Sequence, residues 1–306
     1  MIILVTGGTG MVGRAIQRYI KTLETEHVYH FVGSKDADLT ELSQTKSLFD
    51  RINPTQVIHL AAVVGGLFFN INNNAQMFDL NTRINLNVMR CAVEAGVKKV
   101  VAVLSTCAMP AEPDRFPMTE DSIYEGNVHE TNLGYGKAKR SLELMSKLYR
   151  DSTTTEFVTV FPCNLYGIGD STDLKVCHAL SALLIKCHNA KLNDTDFIVG
   201  GTGLPIRQWM FVDDVAQLLI KILMEFTGQR IILCTDEPDI SINDLANKIC
   251  RIVGYTKPLI NDLSKSDGLY KKTVSNSVLK KVFPDFKFTS LDNGIRKTYE
   301  DVRIRL

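Results

Sequence analysis

Tyr135 and Lys139 stand four residues apart in Tyr135-Gly-Lys-Ala-Lys139, so on a helix a phenol and an ammonium share one face. A phenol, with an ordinary pKa of about 10, is a poor acid–base group at neutral pH. A cation one turn away favours the phenolate and draws it towards working range. Upstream, Leu104-Ser-Thr-Cys-Ala-Met-Pro110 offers a hydroxyl at Ser105, able to hydrogen-bond the same substrate oxygen, and a thiol at Cys107. A cysteine in a core is usually inert packing, and it serves as a base only where nearby positive charge favours its thiolate. The YxxxK spacing arises by chance in many helices, so its meaning depends on the elements that carry it.

Those elements are legible from periodicity. Apolar runs at 2–6, 27–32, 56–61, 99–105 and 157–162 read as strands, and helical patterns occupy 11–24, 41–52, 75–95 and 134–150. Strands alternating with helices imply βαβ units and a parallel sheet. The run Lys99-Val-Val-Ala-Val-Leu104 reads as a buried strand ending at Ser105, which sets hydroxyl and thiol at a carboxyl end, where open α/β sheets keep their chemistry.

The first strand runs into Thr6-Gly-Gly-Thr-Gly-Met-Val-Gly13 and then an amphipathic helix. Gly7 and Gly10 permit a tight turn and a close approach of backbone to a pyrophosphate. Gly13 permits close helix–strand packing, and the helix N-terminus faces the phosphates. In the first strand–turn–helix of a βαβ series, this pattern signals dinucleotide binding. After the second strand come Ser34, Lys35 and Asp36. A carboxylate there favours the ribose hydroxyl of NAD and a basic residue the 2′-phosphate of NADP. The adjacent charges give both signals. The reading leans to NADP(H) through Lys35 with Ser34 as a second donor, although a solvated loop lysine would look the same.

The fold expected is therefore α/β: a Rossmann-type doubly wound parallel sheet with a smaller α/β C-terminal lobe. Residues 1–165 form the NADP-binding domain, which also receives later segments, and 166–306 form mainly the substrate-binding lobe. Beyond about 165 the strands shorten (197–199, 230–234), and helices are expected at 174–190, 212–226, 241–253 and 289–301. The crevice between lobes is the default ligand site.

Composition narrows the function classes. Thirty-five basic residues against 34 acidic ones give a net charge of +1, unlike the basic domain expected of a nucleic-acid binder. No apolar run approaches the roughly 20 residues that cross a bilayer. The opening MIILVTGGTG reads as folded structure rather than a leader. Seven cysteines without a CxxC pair argue against a disulfide framework or structural zinc. The expected compartment is reducing cytosol. Cys177-His178 and Cys187-His188 mimic a metal repeat, but on a helix they point roughly 80° apart and sit about 15 Å apart along the axis, so no metal site is expected.

Together these motifs resemble the extended, nucleotide-sugar branch of the short-chain dehydrogenase/reductase superfamily. The resemblance implies that Ser105, Tyr135 and Lys139 are the catalytic triad. It implies that the cofactor is held by Gly7, Thr9, Gly10, Met11, Val12, Gly13, Ser34, Lys35, Asp38, Leu39, Ala61 and Ala62, together with Tyr135, Lys139, Pro162, Asn164 and Leu165. The superfamily's central-helix asparagine falls on Asn81. Sugar-nucleotide dehydratases of this branch carry an Asp-Glu pair beside the serine, whereas this chain has Thr106-Cys107, which disfavours dehydration.

The chain is similar over nearly its whole length to the 3,5-epimerase/4-reductase family that acts on GDP-4-keto-6-deoxy-D-mannose. The similarity rests on Gly33-Ser-Lys-Asp-Ala-Asp-Leu-Thr40, His59-Leu-Ala-Ala62, Val64-Gly-Gly-Leu67, Leu104-Ser-Thr-Cys107, Gly134-Tyr-Gly-Lys-Ala-Lys139, Asn164-Leu-Tyr-Gly167, Gly201–Val215 and Lys265-Ser-Asp-Gly268 with Lys271-Lys272. By that resemblance Cys107 is the epimerisation base and His178 the acid. Val64, Gly65, Gly66 and Asn164 border the sugar, and Lys186, Arg207 and Lys272 meet the GDP. Epimerisation precedes reduction, because reduction destroys the ketone that acidifies C3 and C5. The resemblance also implies a homodimer through the helices near 75–95 and 134–150. Two other readings stand beside this one: an epimerase or 4-reductase for another nucleotide sugar, and a cofactor-bound regulatory protein.

Overall fold

The computed structural model describes residues 1–174 and 176–306, and of Leu67 and Phe68 the backbone alone. The first half alternates strand and helix: β1 (Ile2–Thr6), α1 (Met11–Ile20), β2 (Val28–Val32), α2 (Leu42–Ile52), β3 (Gln56–His59), α3 (Leu67–Asn72), α4 (Asn74–Glu94), β4 (Lys99–Val103), α5 (Leu133–Ser152) and β5 (Glu156–Pro162). The second half has shorter strands: β6 (Asn164–Tyr166), α6 (Ala179–Leu192), β7 (Phe197–Gly200), β8 (Ile206–Arg207), β9 (Trp209–Phe211), α7 (Val212–Glu225), β10 (Arg230–Leu233), β11 (Ile240–Ser241), α8 (Ile242–Val253), β12 (Leu259–Asp262), β13 (Lys271–Lys272), α9 (Ser277–Val282) and α10 (Leu291–Arg305).

The central sheet runs β10-β5-β4-β3-β1-β2, with every neighbouring pair parallel. The order reverses between β1 and β3, and a crevice opens at such a switch point beyond the carboxyl ends of the strands. All five residues of β4 are buried, as expected of a parallel strand covered by helices on both faces. Even Lys99 on β4 is enclosed. Its Nζ donates to the carbonyls of Ile222 and Phe226 at 2.9 and 2.5 Å, which satisfies the C-terminal end of α7. This ties α7 to the sheet, and β10 completes the sheet's far edge.

A second core gathers Tyr166, Leu180, Leu184, Phe197, Phe211, Leu245, Ile249 and Ile295. Three small sheets edge it: β11-β8-β13, β12-β7 and β6-β9. The parallel pairing of β13 on β8 sets Lys272 opposite Arg207, and that of β6 on β9 sets Asn164 opposite Trp209.

Element ends differ from the sequence expectation where side chains intervene. The strands expected over 56–61 and 99–105 stop at His59 and Val103. The helix expected over 174–190 begins at Ala179, and Lys175 of that range lies outside the described residues. The two-residue strands and the short helices α3 and α9 carry too little periodicity to read.

Candidate functional site

Ser105 turns away from β4 because its Oγ accepts from the Cys107 N–H at 3.1 Å, a local bond that competes with strand pairing. Ser105 thereby caps a single 3-10 turn over Thr106–Ala108. Helix α5 approaches this turn closely because residue 136 is glycine: a Cβ there would lie 2.6 Å from the Cys107 carbonyl oxygen. The approach brings Tyr135 beside Ser105.

Lys139, one turn further on, is buried, donates to the Val103 carbonyl at 2.8 Å, and lies 5.8 Å from the Tyr135 ring centroid. Burial lowers its pKa to about 8. For Tyr135 the dominant influence is burial rather than the lysine cation. Burial and then the charge of Cys107 push the phenol above its ordinary value, against the pull of a Ser105 hydrogen bond. The Lys139 ammonium is committed to a carbonyl, so the phenol stays protonated, which is the form that donates a proton.

Cys107 sits under opposing influences. Burial raises its thiol, but the charge of Lys272, hydrogen bonds from Ser105 and Lys272, and the charge of Arg207 together bring it below its ordinary value. Lys272 Nζ lies 3.5 Å from Sγ and Asn132 Nδ2 lies 3.8 Å from it. Reactive thiols need such an electropositive setting.

His178 caps the N-terminus of α6 rather than riding within it. The buried Asp170 carboxylate holds it there: Oδ2 accepts from the His178 N–H at 3.2 Å, and Oδ1 meets Nδ1 at 2.9 Å. Burial opposes the charge on the imidazole, but the hydrogen bond and charge of Asp170 outweigh it and raise the pKa above its ordinary value. His188 lies elsewhere, on the Tyr299 hydroxyl at 2.9 Å.

At the other end of the site, β1 enters a glycine turn. Gly7 has φ +69°, and a Cβ there would lie 2.8 Å from the Ala61 N. No side chain caps the following helix α1, and its first turn holds no acidic residue. Free backbone donors on a positive helix end, approached without side-chain obstruction, fit a dinucleotide's diphosphate.

The Asp36 carboxylate closes its own turn by accepting from the Gly33 N–H at 2.7 Å, and Lys35 is exposed. Neither lines the cleft, whereas Ser34 does. Asp38 accepts from the Thr40 hydroxyl and N–H, and these bonds hold its carboxyl below the ordinary range. Buried Asn81 clamps both backbone groups of Val63 at 3.0 Å, fixing the wall that begins at Ala61-Ala62.

These features face one cleft of about 710 Å³. Ser105, Cys107, Tyr135, Lys139 and His178 all line it. So do Gly7, Thr9, Gly10, Met11, Val12, Gly13, Ser34, Asp38, Leu39, Ala61, Ala62, Pro162, Asn164 and Leu165 at the nucleotide end, and Val64, Gly65 and Lys272 beyond. Four expected residues do not. Gly66 caps α3, Lys35 and Lys186 point outward, and Arg207 donates to the carbonyls of Ile206, Leu269 and Tyr270 at 2.8, 2.5 and 3.3 Å. Lys272, expected on the GDP, lines the cleft and contacts Cys107. Sequence reasoning missed Asp170, Asn132 and Trp209. Asp170 and Asn132 act through partners brought near only by folding, and Trp209 by its pairing with Asn164.

Fold and site define a class: a nicotinamide-nucleotide oxidoreductase with a Ser–Tyr–Lys centre, carrying an additional thiol and imidazole on the same cleft. Residues 3–233 match the model of the NAD dependent epimerase/dehydratase family. A probable GDP-L-fucose synthase of Drosophila melanogaster is 40% identical over 96% of this chain and 94% of its own length. The GDP-L-fucose synthase of Dictyostelium discoideum is 38% identical over 97% and 93%. The crystal structure of an NADP-bound GDP-L-fucose synthetase from Naegleria fowleri superposes with a TM-score of 0.91 at 34% identity, covering 99% of this chain and 94% of that one. The chain belongs to the NAD dependent epimerase/dehydratase family and, within it, to the GDP-L-fucose synthases.

Proposed function

We propose that this enzyme converts GDP-4-keto-6-deoxy-D-mannose to GDP-L-fucose by 3,5-epimerisation followed by NADPH-dependent 4-reduction. The observation that carries this reading is the meeting of two hydrogen-bonded pairs, Cys107 with Lys272 and His178 with Asp170, on the cleft that also holds Ser105, Tyr135 and Lys139.

The C4 ketone acidifies the protons at C3 and C5, and Cys107, its thiolate favoured by Lys272, removes them. His178, its imidazolium favoured by Asp170, returns one proton for each removed, on the opposite face; between the two inversions the thiol gives up its proton to solvent and the imidazole regains one. Ser105 steadies the C4 oxygen. The hydride that reduces C4 would come from NADPH when it is bound. Tyr135, protonated in its buried setting, gives its proton to the alkoxide, and Lys139 stands behind it as the next proton source. The glycine turn and the N-terminus of α1 hold the diphosphate of the cofactor, with Ser34, Asp38 and Leu39 at its adenosine end.

The reading extends to a cytoplasmic homodimer. Phe78 and Leu86 on α4 and Leu144 and Leu148 on α5 are exposed apolar residues on a helix pair, which supports pairing through these helices. Among the described residues no helix is long and apolar enough to cross a membrane. A second reading, action on another nucleotide sugar, draws on the position of Lys186 and Arg207 off the cleft wall, and a substrate panel decides it.

The test measures NADPH consumption and product stereochemistry with GDP-4-keto-6-deoxy-D-mannose for wild type and Cys107→Ser. Wild type is expected to form GDP-L-fucose, while the variant leaves C3 or C5 uninverted. Reduction without inversion in the wild type would make the protein a plain 4-reductase.

A further inference from the structure

Asp170 has no part in the chemistry derived from the motifs, yet its carboxylate is enclosed, with only 4% of its side chain exposed, and it contacts the cleft-lining His178. An ionised carboxylate so placed is costly unless its oxygens are fully partnered. Here Oδ1 accepts from the Ser171 N–H at 2.9 Å and meets His178 Nδ1 at 2.9 Å, while Oδ2 accepts from the His178 N–H at 3.2 Å. A carboxylate only accepts, so Nδ1 carries a hydrogen, and Nε2 is left as the ring atom for the cleft.

The loop bearing Asp170 is strapped from two other elements. Arg305 of α10 donates to the Asp170 carbonyl at 2.7 Å, and Asp301 of α10 accepts from the Gly169 N–H at 2.9 Å. Arg14 of α1 donates to the Gly169 carbonyl at 2.7 Å.

We propose that Asp170 is the positioning residue for His178, fixing the imidazole's Nδ1–H and rotamer so that Nε2 is presented to the substrate carbon as the proton donor. This rests on the epimerase reading above and names a residue that reading does not require. The charged and titratable groups around the pair are Asp173 and Cys177 on the same loop, Lys186 on α6, Asp301 and Arg305 on α10, and Arg14 on α1. Cys107 and Lys272 face it from across the cleft. Asp170 makes a direct ring contact, and its charge favours the imidazolium.

The sign follows. With Asp170 present the imidazolium persists to higher pH. In Asp170→Asn it is lost at lower pH, and a rotamer with Nε2 turned away becomes accessible.

The experiment titrates the His178 ring by NMR in substrate-free wild type and Asp170→Asn. It then follows solvent deuterium exchange into C3 and C5 of GDP-4-keto-6-deoxy-D-mannose against pH. NADPH affinity, read from Trp209 fluorescence, checks that the variant folds. The ring is expected to titrate at lower pH in the variant. Exchange near pH 8 should fall by about 10- to 100-fold, a fraction of what a general acid contributes, with the high-pH limb moving down in step and NADPH affinity retained. His178→Asn should lose as much, and adding Asp170→Asn to it should lose nothing further.

An unmoved ring titration and exchange limb in a folded variant overturn the proposal. Additive losses in the double variant overturn it too, since Asp170 would then act apart from His178. A shifted ring titration with no exchange even in wild type defeats the epimerase reading itself and reduces the Asp170 contact to loop stabilisation.

Discussion

Replacing Lys272 with methionine separates two roles that one lysine could have. The family resemblance places it on the GDP, and in the folded chain its Nζ lies 3.5 Å from Cys107 Sγ. At that distance and an effective dielectric of about 20, an ammonium stabilises a thiolate by on the order of 5 kcal/mol. Lysine and cysteine both border an open cleft, where water and salt weaken the pair. Arg207 and the Ser105 hydroxyl also continue to favour the thiolate. A residual effect of about 1.4 to 2.8 kcal/mol is therefore expected, or about 10- to 100-fold in thiolate population near neutral pH.

The thiol is lowered by Lys272, so thiolate forms at lower pH in the wild type. Its loss in Lys272→Met moves the rising limb of reactivity to higher pH. Iodoacetamide alkylation of Cys107, followed by mass spectrometry across pH, reads this without any sugar present. The slowing expected near pH 7 should vanish at high pH, where both thiols ionise. In turnover, the epimerisation rate should fall more than KM for the GDP sugar rises. Unchanged alkylation with a large rise in KM would refute the argument and return Lys272 to the nucleotide.

Two further outcomes test other parts of the site. Tyr135→Phe removes the proton donor for C4 while leaving Cys107 and His178 in place, so NADPH oxidation should drop by about 10²-fold or more with solvent exchange at C3 and C5 retained; loss of both would show that Tyr135 also orients the sugar. Gly13→Ala places a methyl onto the Gly8 carbonyl, which the turn can relieve only by shifting α1. A cost of about 1–3 kcal/mol and a greater loss of NADPH affinity than of fold are expected, read by thermal melting with and without cofactor. Equal melting of variant and wild type, each with NADPH, would refute close packing at this turn.

Much of this was legible from residue order because its determinants are local. The glycine turn is recognisable because a Cβ at Gly7 or Gly13 would strike backbone, and such constraints act over a few residues. Tyr135 and Lys139 are spaced for one helix face wherever the helix lies. Serine and cysteine beyond a five-residue apolar strand announce a sheet's carboxyl edge. What escaped was set by long-range pairing. Lys272 reaches Cys107 only because β13 adds to β8, a contact between residues 165 positions apart. Asp170 reaches His178 only because the intervening loop folds back and is strapped by α10.

The same distinction applies to Tyr135. A lysine one turn away should draw a phenol down if the ammonium faces it. Here the ammonium is buried against the Val103 carbonyl, and desolvation dominates both groups, raising one and lowering the other. Spacing specifies which groups can meet, while burial decides which protonation state each holds. For a reductase the outcome is the useful one, since a protonated phenol and a lysine near pKa 8 form a donor with a nearby group able to reprotonate it. Across the cleft the opposite arrangement holds: the thiol and imidazole each have a group of opposite charge in hydrogen-bond contact, which shifts each towards the charged form that epimerisation uses. One cleft thus supports two chemistries by pairing the charges of one pair of groups and burying the other.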